Sequence, residues 1–168
     1  RSLGGGGNNQ IICEEIENMK NNGIFVVASA GNEGNSAIRF PASCEYSFSV
    51  SSTKFDERRS SFSSFNNHVD IAAPGGQNSE DLDGNGSGDG VMAYSFKNSS
   101  YDGESYKGLQ VYNGTSMAAP HVSAYFAILK YLEPDLSHDQ LKQYLISKYI
   151  FQTCAVAASK PRAQPIRC

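Results

Sequence analysis

The sequence predicts an α/β fold built on a parallel sheet, and three observations carry that prediction. Residues 10–27 read as a helix, a glycine stop and a buried strand, half of a parallel α/β unit. Two more short strand-like segments follow, and the second ends in Pro74-Gly75-Gly76. The last third returns to helix, beginning near Ser116.

Each element has a local reason. In residues 10–22, Ile12, Ile16 and Met19 recur at helical spacing, with Cys13 beside them. Asn22-Gly23 supplies a left-handed stop. Residues 24–27 are apolar and β-branched, as a strand covered on both faces requires. Residues 48–52 and 69–72 are the next strands. Residues 77–108 are polar and glycine-rich and read as a long surface excursion. A helix from Ser116 to about Leu132 breaks at Glu133-Pro134. Ser137 and Gln140 then form a capping box for a second helix. Residues 151–168 carry Pro161 and Pro165 and read as an irregular tail. No repeat or linker divides the 168 residues, so they read as one unit.

Composition narrows the function. Hydrophobic residues make up 39% and charged residues 18%, which suits a turn-rich globular domain and excludes a coiled coil or a disordered tail. The net charge is −3 and the basic residues are scattered, so a nucleic-acid partner is not expected. No apolar run reaches the roughly 18 residues of a membrane helix. The opening RSLGGGG has no Met and reads as a strand end entering a glycine loop, a chain cut within a larger protein.

Cys13, Cys44, Cys154 and Cys168 form no CxxC pair and have no zinc-type histidine spacing beside them. Their even number points to disulfides and a secreted, oxidising setting; buried free thiols are the competing reading. Four cysteines allow three pairings. The expected ones are Cys154–Cys168, closing the tail locally, and Cys13–Cys44, tying the first helix to the segment after the first strand. The rival is a link from Cys13 or Cys44 to a cysteine outside this chain.

Chemistry concentrates in two stretches. In YNGTSMAAPH, residues 112–121, Ser116 stands among small residues at a helix start. Pro120 is expected in the first turn, which puts Ser116 at the N-terminus, where unpaired N–H groups favour developing negative charge. The competing reading makes Thr115 or Ser116 a simple N-cap. In VVASAGNEG, residues 26–34, Asn32 stands just past a buried strand, where ligands of parallel sheets bind. Asn32 is either a fixed amide donor or a turn asparagine.

Together, GTSMAAPHV and VVASAGNEG resemble the nucleophile and oxyanion-hole motifs of subtilisin-like serine proteases. SLGG at residues 2–5 resembles that family's substrate-backbone strand, and RRSSFSSFNNHVDIAAPG, residues 58–75, resembles the segment between the motifs. The resemblance runs to about residue 150. It implies part of a subtilisin-like parallel-sheet fold with helices on both faces, the N-terminal half lying outside this chain. It implies Ser116 as nucleophile and Asn32 as oxyanion donor with the Ser116 N–H. It further implies Ser2, Leu3 and Gly4 as an edge pairing with extended substrate, and Ser29, Ala30, Gly31 and Glu33 around an open substrate pocket. The family's Asp and His motifs are not found, and His121 takes the place of a structural histidine. The expectation is therefore a secreted endopeptidase acting on polypeptides, inactive as this chain alone, with Asp and His supplied by a separate N-terminal chain. An esterase of the α/β-hydrolase type would need its histidine well after the serine, where only His121 and His138 stand close by. A non-catalytic calcium-binding fragment or degenerate homologue is the alternative.

The last motif is DLDGNGSGDG, residues 81–90. Asp81, Asp83, Asn85 and Asp89 fall at calcium-loop positions 1, 3, 5 and 9, with Gly86 at position 6. Position 12 is Met92 instead of Glu. A structural Ca²⁺ is expected there; a solvated acidic turn is the plain alternative.

Overall fold

The computed structural model describes residues 10–98 and 105–148. Ser2, Leu3 and Gly4, Cys154 and Cys168, and the tail at 151–168 lie outside those residues. The elements run α1 (Gln10–Asn21), β1 (Val26–Ser29), β2 (Ser47–Thr53), β3 (Ile71–Pro74), β4 (Val91–Asn98), β5 (Ser105–Tyr112), α2 (Thr115–Leu132) and α3 (His138–Lys148).

β1, β2 and β3 form a parallel sheet in that order, with Val26 opposite Ser47 and Val50 opposite Ile71. Alternation along β2 turns Phe48 and Val50 to one face, where they meet Ala118, Val122, Phe126 and Leu129 of α2 and Leu141 and Leu145 of α3. Phe126 packs edge-on to Phe48 with ring centroids 5.0 Å apart. Lys142 of α3 reaches Asp70 at 2.7 Å, and Asp70 Oδ2 accepts the Ser49 N–H at 2.8 Å. That chain locks α3 to the entry of β3.

α1 ends as its sequence dictates. Gly23 adopts φ 76°, its N–H donates to Lys20 O, and the Ile24 N–H donates to Met19 O, both at 2.9 Å. This cap consumes the Ile24 amide, so β1 begins two residues later than the apolar run suggests. Cys13 and Cys44 are joined, with Cα atoms 5.2 Å apart.

Two sequence expectations need correction. The surface excursion read at residues 77–108 holds regular structure that this reading did not include, because β4 and β5 form an antiparallel hairpin pairing Met92 with Val111 and Tyr94 with Leu109. The alternation of Met92, Tyr94 and Phe96 is the period-two signal that the flanking glycines obscured. Pro120 is not in the first turn of α2 but six residues in. It removes the donor that the Ser116 carbonyl would otherwise accept from residue 120. Ser116 is nonetheless at the N-terminus, as the second helical residue.

Candidate active site

Three chain segments meet where β1 and β3 end. Gly114 is the N-cap of α2, with φ 151°, and has no side chain with which to cap. Its N–H donates to Gly75 O just past β3, at 2.9 Å. A Cβ on Gly75 would overlap Ser52 Oγ and come within 2.6 Å of Gly114 O, so only glycine permits this approach. Neither Thr115 nor Ser116 is the N-cap.

The cap comes from another segment. Asn32 Oδ1 accepts both the Thr115 N–H and the Thr115 hydroxyl at 2.9 Å. Thr115 Oγ1 in turn accepts the Gly31 N–H at 3.3 Å. Two donors on one oxygen fix the orientation of the amide: Oδ1 faces Thr115, and Nδ2 carries the free protons. A Cβ on Gly114 would lie 3.4 Å from that Nδ2. The Met117 and Ala118 N–H groups turn back to Gly114 O at 2.9 and 3.4 Å. Among the described residues, the Ser116 N–H has no acceptor and Asn32 Nδ2 has none either. Ser116 is partly buried, and Thr115 beneath it is fully buried.

Thr115 is the residue that sequence reasoning missed as a determinant of Asn32. Its signal was present, as a hydroxyl next to the candidate nucleophile at a helix start, but its partner is 83 residues away.

The other expected pocket residues lie at the end of β1. Ser29 is partly buried, while Ala30 is only 2% exposed and packs on Val69. The Ala30 side chain thus supports the wall from behind. Gly31 has φ 112°, and a Cβ there would meet the Glu33 carboxylate. Glu33 Oε2 accepts from Ser64 Oγ at 3.0 Å and pairs with Arg39 Nε at 3.6 Å.

The histidines are occupied elsewhere. His121 Nδ1 is 2.8 Å from Met117 O, one turn back. His138 stacks on Phe25 at 4.4 Å, and His68 is exposed on the turn before β3.

In the acidic loop, single carboxylate oxygens of Asp81, Asp83 and Asp89 lie within 4.8 Å of one another. Asp81 also accepts the Asn85 and Gly86 N–H groups, at 3.1 and 2.9 Å. Asn85 does not join the cluster with its oxygen: Oδ1 accepts the Ser87 N–H at 2.8 Å, and Nδ2 donates to Asp83. At the base of the loop, Glu80 accepts from Lys54 at 2.7 Å, and that hydrogen bond raises the lysine pKa above its ordinary value.

A serine at a helix N-terminus and an asparagine with an oriented amide thus stand together at the carboxyl ends of the parallel strands of an α/β protein. Comparison with known proteins makes the assignment specific. The subtilase family model matches residues 1–162, and the chain belongs to that family. It is 31% identical to subtilisin BL of Lederbergia lenta over 144 residues, 86% of this chain and 45% of that protein. It is 35% identical to thermitase of Thermoactinomyces vulgaris over 128 residues, 76% of this chain and 38% of that protein. A solved protease of Pseudoalteromonas arctica superposes with a TM-score of 0.75 at 31% identity, covering 95% of this chain and 50% of that one. The chain thus spans about half the length of the relatives it matches.

Proposed function

We propose that this chain is the nucleophile-bearing portion of a secreted serine endopeptidase. The observation that carries the reading is the Asn32–Thr115 link. It orients an amide donor and leaves the Ser116 N–H unpaired at the same helix end. Ser116 Oγ attacks the scissile carbonyl, and its proton passes to a base. The carbonyl oxygen, now negative, is received by Asn32 Nδ2 and the Ser116 N–H, with the helix dipole behind them. Ser29, Gly31 and Glu33 flank the substrate side chain, and Ser2, Leu3 and Gly4 pair with the substrate backbone.

The base and its orienting carboxylate come from outside residues 1–168, on a separate N-terminal chain. The engagement of His121 with Met117 O and of His138 with Phe25 supports a base from outside these residues. The Cys13–Cys44 bond supports secretion. Asp81, Asp83 and Asp89 would hold a structural Ca²⁺, which supplies countercharge to three crowded carboxylates. Asn85 would join by turning Oδ1 away from Ser87.

A fluorophosphonate probe and intact mass of the native material test the proposal. Labelling at Ser116 is expected in an assembly that contains a second chain with a His and an Asp. Chain 1–168 freed of partners is expected to stay unlabelled. An unlabelled native assembly would instead favour a non-catalytic calcium-binding role, and turnover by the isolated chain would overturn the two-chain arrangement.

A further inference from the structure

Asn32 stands in a turn that has little stiffness of its own. Gly31 and Gly34 flank it with φ 112° and 63°, and the Asn32 side chain is exposed. Thr115 fixes the amide of Asn32, but a held side chain on a loose backbone still wanders. Thr115 Oγ1 accepts the Gly31 N–H and Phe62 O accepts the Gly34 N–H at 2.7 Å, and between these ties Ser64 holds the backbone on both sides of Asn32. The Ser64 N–H donates to Gly31 O at 3.0 Å, on the near side of Asn32. Ser64 Oγ accepts the Glu33 N–H at 3.3 Å and donates to Glu33 Oε2 at 3.0 Å, on the far side.

Ser64 can clamp because it is itself immobile. It is fully buried, and its neighbours are stapled to the end of β2. Ser63 Oγ accepts the Ser52 N–H at 2.8 Å, and the Ser60 N–H donates to Ser52 O at 2.9 Å. Ser60 Oγ lies 2.8 Å from Ser52 Oγ and 2.9 Å from Gly76 O. The row of hydroxyls therefore runs from the sheet to the Asn32 turn. A buried hydroxyl has to be partnered, and here both partners are on Glu33, the residue after the amide donor, while the Ser64 backbone N–H holds Gly31, the residue before it.

We propose that Ser64 is a positioning residue for Asn32, acting through Gly31 and Glu33. The kinetic consequence rests on the serine-protease reading above; the structural consequence does not. Removing the hydroxyl leaves the Glu33 N–H without its acceptor and lets the Glu33 carboxylate swing toward Arg39. Asn32 then samples positions in which Nδ2 misses the oxyanion.

Two measurements test this. In chain 1–168, Ser64→Ala is expected to speed hydrogen exchange of the Glu33 amide by more than about tenfold, while amides within β2 stay protected. In the active assembly, Ser64→Ala is expected to lower kcat about tenfold with KM within about twofold. In an Asn32→Ala background the same change is expected to cost less than about twofold, because the clamp has nothing left to position. Ser64→Cys, close in volume and weaker as a hydrogen-bonding group, is expected to fall between wild type and Ala and stands in if Ala does not fold. Equal losses in both backgrounds would show a merely structural residue and overturn the proposal. So would an unchanged Glu33 exchange rate. An assembly that never turns over would sink the protease reading, and exchange at Glu33 would still decide whether Ser64 clamps the turn.

Discussion

Asn32 combines two jobs that a sequence reader would assign to different residues. Its oxygen caps α2 through Thr115, and its nitrogen is left to donate outward. Capping is worth about 1 kcal/mol, so Asn32→Ala should cost some stability as well as chemistry. The chemistry should dominate. In the active assembly, kcat is expected to fall about 10²–10³-fold with KM little changed, since the donor acts on the developing oxyanion and not on bound substrate. Steady-state kinetics on peptide substrates checks this. A loss confined to KM would make Asn32 a substrate contact. The residue scale was partly legible. Ser116 and Asn32 stand out because hydroxyl and amide occur at helix and strand ends among glycines. Thr115 and Ser64 do not, because their partners lie 83 and 31 residues away. Periodicity and local motif carry no information about such contacts.

At the scale of elements, the acidic loop is the one whose stability should depend on solution conditions. Asp81, Asp83 and Asp89 gather three negative charges, eased by backbone N–H groups from Leu82, Asn85 and Gly86. Chelation is expected to lower the unfolding temperature of wild type, and Asp83→Ala should remove that response. Thermal unfolding with and without chelator measures both, and an equal response in the two proteins would move the metal elsewhere. The clustering of Asp81, Asp83 and Asp89 was readable because their spacing is local. The hairpin of β4 and β5 was not, because its exposed face hides the usual contrast between core and solvent. Met92, Tyr94 and Leu109 are all exposed, so apolar alternation there does not mark burial. Strand positions in the sheet were legible to within two residues. At β1 the offset arose because a backbone amide was already committed, that of Ile24 in the α1 cap.

For the whole molecule, the question is what holds a three-stranded sheet and its helices together in a chain half the length of its relatives. α2 and α3 share a continuous core with β2 and β3. α1 does not: only Ile16 is buried on it, and Ile11 is 78% exposed. Its ties are the Schellman cap, the stacking of Lys20 over Tyr46 at 4.1 Å and the Cys13–Cys44 bond. The last of these should be the strongest. It closes a loop spanning 31 residues, and the chain-entropy model assigns such a closure about 3–4 kcal/mol. The loop contains β1, the Asn32 turn and Gly31, so freeing α1 also loosens the turn on which Asn32 stands. The double variant Cys13→Ser/Cys44→Ser is expected to lose stability of that size in denaturant unfolding. Its unfolding should also be indifferent to reductant at Cys13 and Cys44. Wild type in reductant should approach the variant. An unchanged midpoint in the variant would mean that α1 is held by contacts beyond the described residues, and that the 13–44 link follows from the fold without supporting it.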